Sequence, residues 1–348
     1  MVTLKGVAAS CGVSPATVSN ILNGKSKAGA DTVRRVLQAV DRLGYQPNVI
    51  AKGLRTQRTQ TIALIAEDIN QFTTPAIIGA VMEGLEEHGY RTVLQNLRLY
   101  ERWKDTWYDS DSALSSMLNP ALQECRAIKA DGIIYLAGHA RHIHCIPEDL
   151  SMPVVMTYAY AASEKIPSVV IDDEQGAYEV MKYLLEKGHR RIAIVTGRSD
   201  NIHTQLRMKG AVRALYEYKC AFNPYLVAEG SWTRQTAYQP LERLRIAEQG
   251  VTAVFTMNDE MAAAAYDVIE ESGLRVGEDI SVIGFDNAMI AQYFRPGLTT
   301  TELPLREIGR KASELMVEIL SGKRKAGPEV YSFPCRFIER KSVKGIAK

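Results

Sequence analysis

Thr3-Leu4-Lys5-Gly6-Val7-Ala8-Ala9-Ser10-Cys11-Gly12-Val13-Ser14-Pro15-Ala16-Thr17-Val18-Ser19-Asn20-Ile21-Leu22-Asn23 reads as two short helices joined by a tight turn. Thr3 caps the first, whose Leu4, Val7 and Ala8 follow helical spacing, and Gly12 supplies the turn. Ser14 caps the second, with Pro15 at its first position. Val18, Ile21 and Leu22 form its inner face. Its outer face carries Pro15, Ala16, Thr17, Ser19, Asn20 and Asn23, small or neutral polar groups that approach base edges and phosphates closely. A third helix is expected from about residue 31 to 43, with Val33, Val36, Leu37 and Val40 inward and Gly44 ending it. Three short helices in about 45 residues make a helix-turn-helix unit.

Charge points the same way. The 348 residues sum to +2, but residues 1–60 hold nine Lys/Arg against only Asp31 and Asp41, a surplus of +7. The remainder, with 33 basic and 38 acidic residues, stands at −5. A basic module on a mildly acidic body is the footprint of a chain that neutralises phosphates with one end.

From residue 61 the pattern changes to apolar strands alternating with amphipathic helices. Strands are expected at 61–66, 92–97, 132–136, 154–158, 168–171, 192–196, 225–230, 253–257 and 281–285. Helices are expected at 76–88, 121–129, 176–187, 205–218, 233–248 and 260–272. Such alternation gives parallel sheets flanked by helices. The fold class expected is an all-α helix-turn-helix headpiece plus an α/β two-lobed domain of two doubly wound parallel sheets.

The ordered motifs resemble the lac repressor/galactose repressor family along nearly the whole chain. They are Val7-Ala8, Gly12-Val13-Ser14, Thr17-Val18-Ser19 and Ile21-Leu22-Asn23-Gly24, then Leu43-Gly44-Tyr45 with Pro47-Asn48. Further on come Asp131-Gly132-Ile133-Ile134, Lys187-Gly188-His189, Asn258-Asp259, the run Asp279–Asp286, and Pro296 with Leu298-Thr299-Thr300. The resemblance implies a periplasmic-binding-protein-like body that binds a small molecule between its lobes. It places Pro15, Ala16 and Asn20 at the base-reading positions, and Thr3, Ser14, Thr17, Ser19 and Asn23 at phosphates. Asn20 is the best donor and acceptor among the readers, since Pro15 and Ala16 offer apolar contact only.

The domains expected are a headpiece at 1–45, a hinge at 46–60 and an effector domain at 61–348. Its N-lobe covers about 61–158 and 303–331, its C-lobe about 171–286 and 335–348, with crossings near 158–171, 286–303 and 331–335. In the family the hinge folds on DNA, and Ala51, Lys52 and Leu54 fall on it, with Leu54 as a minor-groove wedge. Gly53 weakens that helix by about 1 kcal/mol relative to alanine.

Effector contacts are expected after strand ends: Asn70 and Phe72 after the first strand, Tyr158 where several members carry aspartate, then Arg207, Trp232, Asn258 and Asp286. Arg207 suits a vicinal diol or carboxylate, and Asp286 accepts from hydroxyls. Glu67 stands where many members have proline. The partners expected are a double-stranded operator, a small-molecule effector, a carbohydrate above all, and a second copy in a homodimer; the tail after Arg340 carries no heptads for a tetramer.

No cofactor or metal is called for. His139, His142, His144 and Cys145 match no zinc spacing and read as a solvated loop. Five scattered cysteines read as reduced, mostly buried thiols. Asp172-Asp173-Glu174 suggests paired carboxylates, but no catalytic motif accompanies it. The aromatic run 99–111 reads either as a cleft or partner border or as an accessory helix. Without a long apolar run or an export signal, the expected location is cytoplasmic and off the membrane. The alternative, a periplasmic-type sugar-binding protein without DNA function, is opposed by that start and by the basic headpiece.

The hinge assignment predicts a clean split. Leu54→Ala should weaken operator binding by a few kcal/mol and leave non-specific binding and the salt slope unchanged. Lys52→Ala should weaken all duplexes alike and lower the slope by about 1 per subunit. Titrations on operator and scrambled DNA at several salt concentrations decide it; equal loss on both duplexes for Leu54→Ala removes the wedge.

Overall fold

The computed structural model describes residues 2–22, 26–45, 58–104, 110–147 and 149–346. Asn23, Ala51, Lys52, Gly53, Leu54, Trp107 and Tyr108 lie outside them. The chain divides into two compact units, Met1–Gln60 and Thr61–Lys348.

In the first unit α1 (Leu4–Cys11), α2 (Pro15–Leu22) and α3 (Ala30–Leu43) surround Val7, Ala8, Val18, Ile21, Val36 and Ala39. The Thr3 hydroxyl accepts from Gly6 N at 3.2 Å, and Gly12 adopts the left-handed conformation that ends α1. Two expectations shift. The third helix starts at Ala30, one residue before Asp31, with Gly29 in the extended N-cap conformation. Leu37, expected inside, is 48% exposed, because the inward stripe of α3 runs through Val36 and Ala39.

The second unit begins with a six-stranded, all-parallel sheet in the order β13-β7-β5-β3-β1-β2. Its strands are β1 (Thr61–Ala66), β2 (Arg91–Asn96), β3 (Gly132–Leu136), β5 (Val154–Thr157), β7 (Ser168–Ile171) and β13 (Val330–Phe333). Both faces of β1 are buried: Ile62, Leu64 and Ala66 enter one core, Ala63 and Ile65 the other. This is the continuous apolar run a doubly covered strand requires. Helices α4 (Thr74–Glu87), α5 (Leu99–Trp103) and α6 (Asp111–Ala127) precede β3, and the short β4 (His142–Ile143) pairs with β6 (Tyr160–Ala161).

The second sheet, β11-β10-β8-β9, is also parallel. It comprises β8 (Ile192–Thr196), β9 (Val227–Glu229), β10 (Ala253–Thr256) and β11 (Ser281–Ile283). Around it lie α7 (Asp173–Glu186), α8 (Ile202–Glu217), α9 (Arg234–Arg243) and α10 (Asp259–Glu271). The antiparallel pair β12 (Thr300–Glu302) and β14 (Arg336–Ile338) borders β11 through bridges at Ile283–Thr299 and Asp286–Glu302. Helix α11 (Leu305–Leu320) returns to pack on α4 of the first lobe.

Three differences from the sequence reading are informative. Strand β7 pairs with β5, so the first lobe runs to Ile171 and not to about 158, and the first crossing follows it. Helix α6 starts ten residues before residue 121, capped by the Ser110 hydroxyl on Ala113 N at 3.2 Å; Pro120 lies inside it, where a breaker was read as a start. The histidine-rich run is only in part a solvated loop: His142 and His144 are exposed, but Ile143 is buried and His142–Ile143 form β4. Among the described residues no group of three or more His, Cys, Asp or Glu is arranged to hold a metal. Of the five free cysteines only Cys125 is buried; the rest are partly exposed. No helix among the described residues is long and apolar enough to cross a membrane.

Candidate functional site

In the headpiece, Pro15, Ala16 and Asn20 are exposed on the outer face of α2. Ser14 accepts from Thr17 N at 3.1 Å and meets the Thr17 hydroxyl at 2.9 Å. The two hydroxyls that the resemblance assigns to phosphates therefore also fix the start of the helix, and Thr3 caps α1 in the same way.

In the second unit the carboxyl ends of the parallel strands of both lobes open on one cleft of about 770 Å³. Asn70, Phe72, Tyr158, Arg207, Trp232, Asn258 and Asp286 all line it. Each follows a strand: Asn70 and Phe72 follow β1, Tyr158 β5, Arg207 β8 on α8, Trp232 β9, Asn258 β10 and Asp286 β11. Phe72 stands 47% exposed. The Trp232 indole lies so close to Gly197 that a Cβ there would sit 2.0 Å from the ring, so only glycine leaves room for it. Asn258 is tied on both amide atoms, its Oδ1 accepting from Met261 N and its Nδ2 donating to the Trp232 carbonyl, both at 2.8 Å. It caps α10 and holds the tryptophan in place.

Arg207 is only 2% exposed. Its Nε donates to Asp173 Oδ1 at 2.7 Å, Nη1 donates to the Met257 carbonyl, and Asp286 Oδ1 lies 3.7 Å from Nη1. The guanidinium stacks over Phe285, 3.9 Å from the ring centre. Burial pushes the Asp286 carboxyl well up, although Arg207 pulls it down. Burial also raises its neighbour Asp259 to about 7, against hydrogen bonds from Thr300 and Ala288 N. Asp286 holds a positive φ of 114°, a conformation that side chains rarely adopt.

Several groups at the site escaped the sequence reading. The three acids Asp172-Asp173-Glu174 have separate partners: Asp172 caps α7, Asp173 pairs with Arg207, and Glu174 pairs with Lys209 and Arg213. Asp173 Oδ2 also meets His203 Nδ1 at 2.8 Å, while His203 Nε2 accepts from Ala140 N at 3.1 Å. Ala140 belongs to the first lobe and His203 to α8 of the second, so this bond spans the cleft. Glu67 accepts from the Tyr135 hydroxyl and Gly138 N, both at 2.7 Å, and pairs with Arg141 at 2.5 Å. It thereby fixes the loop that carries His139 and Ala140. His139 lines the cleft, with burial, then His203, holding its ring down to about 3. Tyr100 lines it too, Leu99 is buried and Trp103 packs on the second core, so the start of the aromatic run both borders the cleft and forms a helix.

Burial disfavours the charged form of Asp173, but His203 and Arg207 outweigh it and hold the carboxyl below its usual range. Asp173→Asn should leave Arg207 buried without its counter-ion and lower stability by about 3–5 kcal/mol. Since the folded-state value is depressed, the pair's contribution is present above about pH 4 and fades as pH falls further. Urea unfolding at pH 7 and in acid measures both; a loss under about 1 kcal/mol at pH 7 contradicts the role.

Residues 3–48 match the family model described as bacterial regulatory proteins, lacI family, and residues 181–343 match a periplasmic binding protein-like domain. Catabolite control protein A of Priestia megaterium is 31% identical over 347 residues, 99% of each chain. Among solved structures, the lac repressor dimer bound to operator and the anti-inducer ONPF is similar with a TM-score of 0.78 at 25% identity, over 99% of both chains. The transcriptional regulator CelR–cellobiose complex is similar with a TM-score of 0.64 at 26% identity, over 98% of this chain and all of that one. These likenesses favour a regulator over a protein that only captures ligand.

Proposed function

The chain belongs to the lacI family of bacterial regulatory proteins and is a DNA-binding transcriptional regulator; from that premise we propose that it is a homodimeric repressor of a pseudo-palindromic operator, controlled by a carbohydrate bound between its lobes. The headpiece reads DNA with Pro15, Ala16 and Asn20 and grips phosphates with Thr3, Ser14, Thr17, Ser19 and Asn23. Asn70, Phe72, Tyr158, Arg207, Trp232 and Asp286 form the effector site, with Asn258 as the residue that positions Trp232.

The observation that carries the reading is the convergence of aromatic faces and hydroxyl partners on one strand-end cleft. Phe72 and Trp232 offer apolar faces for a ring, and Asp286 and the Arg207 guanidinium offer acceptors and donors for hydroxyls. The related CelR–cellobiose complex supports a sugar in such a cleft. Ligand favours one of two lobe arrangements by as much as its affinities for them differ, and only one arrangement sets two headpieces at half-site spacing. The Ala140–His203 bond is a contact that lobe opening must break.

Dimerisation is supported by β2, an edge strand of the six-stranded sheet that exposes Val93 and Leu94 at 40% and 42%, near exposed Met82 of α4. A bare apolar edge invites a partner. Sedimentation should give a dimer, and Leu94→Glu should shift it toward monomer; a stable tetramer at micromolar concentration contradicts the assignment.

Arg207→Ala strands Asp173 as well as removing a ligand contact, so the effector site is better tested at Phe72, which is half exposed. A thermal-shift screen of sugars should find the effector. Phe72→Ala should then weaken it about tenfold, or ~1.4 kcal/mol, while operator affinity of the unliganded protein stays within about twofold. Unchanged ligand affinity would move the site elsewhere.

A further inference from the structure

Two cations line the cleft, Arg207 and Arg234, and both already have carboxylate partners. Arg207 is buried against Asp173, the Met257 carbonyl and Asp286. Arg234 Nε donates to Asp267 Oδ2 at 2.6 Å. Two acids, Asp286 and Glu260, face the same space. Ionised or protonated, Asp286 brings no positive charge.

Neither lining histidine supplies one. Nε2 of His203 accepts from a backbone N–H and so carries no proton, and its Nδ1 faces Asp173. His139 is held uncharged by burial and by the nearby guanidinium groups of Arg141 and Arg198.

Neutral polar groups, by contrast, stand ready. The Thr73 hydroxyl, on a cleft-lining residue that is 6% exposed, and the Trp232 indole N–H are buried without a hydrogen-bond partner. Asn70, Gln71, Ser231 and Thr233 add neutral donors and acceptors around them. A buried polar group without a partner is costly, and a ligand that supplies one removes that cost.

Resting on the effector reading above, we propose that the cleft is built for an uncharged polyhydroxylated ring and rejects phosphorylated or acidic sugars, because every cation lining it is already paired. An anionic group entering it would be stripped of water beside two acids, or would have to draw Arg207 away from Asp173. Hydroxyls instead meet Thr73, Trp232 and Asp286 and leave the Arg207–Asp173 pair intact.

The test is calorimetry on the full chain with matched pairs: D-glucose, D-fructose, D-ribose and common disaccharides, each against its phosphate ester or uronic acid. Binding should be confined to the neutral members, with the charged partner of any binder at least a hundredfold weaker. Affinity for the neutral sugar should change less than about twofold between 50 and 300 mM salt, since a neutral ligand has no charge to screen. A phosphate ester that binds as tightly as its parent sugar overturns the proposal. If Arg234→Gln then abolishes that binding, Arg234 leaves Asp267 to receive the phosphate. Silence from both series is a different failure, for it removes the carbohydrate reading itself.

Discussion

The Arg207–Asp173 ion pair is the constraint on which the sensing half of the molecule depends. Both partners are almost wholly out of water, so each needs the other and each needs its remaining hydrogen-bonding groups filled. Met257 supplies a carbonyl to Arg207 and His203 supplies its Nδ1 to Asp173. The pair locks the first turn of α7 to the second turn of α8, and it brings β10 in through the Met257 carbonyl. Because Asp286 stands 3.7 Å from the same guanidinium, the carboxylate at the end of β11 is aimed by it as well. The cleft wall on the second lobe is thus one electrostatic unit.

That unit reaches the other lobe through the His203 imidazole. His203 has Asp173 on one nitrogen and the Ala140 N–H on the other. Ala140 is itself held by a second buried ion pair, since Glu67 ties the Gly138–Arg141 loop to the end of β1. A displacement of either lobe is therefore felt at both ion pairs. Polar contacts of this kind have narrow geometric tolerance, whereas apolar faces slide at little cost. Two discrete arrangements follow more readily from such a seam than a continuum does.

The sequence made the fold legible where periodicity is strong. Strands with both faces buried and helices with capped ends were placed to within a few residues. The cleft residues were legible for a topological reason: in parallel sheets, side chains just past the strand ends converge, so Asn70, Tyr158, Trp232, Asn258 and Asp286 could be named without knowing their partners. What stayed hidden was pairing across long separations. Asp173 and Arg207 are 34 residues apart, and Glu67 and Arg141 74; nothing local distinguishes those acids from solvated ones. Leu37 was misplaced because a helix of alternating apolar and charged residues allows two neighbouring inward stripes. Helix α6 was cut short because Pro120 reads as a boundary in any local window.

The same logic explains where the headpiece and the cleft differ as recognition surfaces. On α2 the proposed readers Pro15, Ala16 and Asn20 are exposed, and only Asn20 has a donor and an acceptor to set against a base edge. Ser14 and Thr17, the proposed phosphate contacts, are tied to one another as a helix cap, which holds them rigid and suits them poorly to reading sequence. Specificity built on so few base contacts must draw on the deformability of the duplex and on the spacing of two half-sites. Spacing is a property of the body, not of the headpiece. On that proposed reading, a regulator whose own reading helix discriminates weakly places most of its selectivity under the control of the lobes and of the ligand their cleft admits.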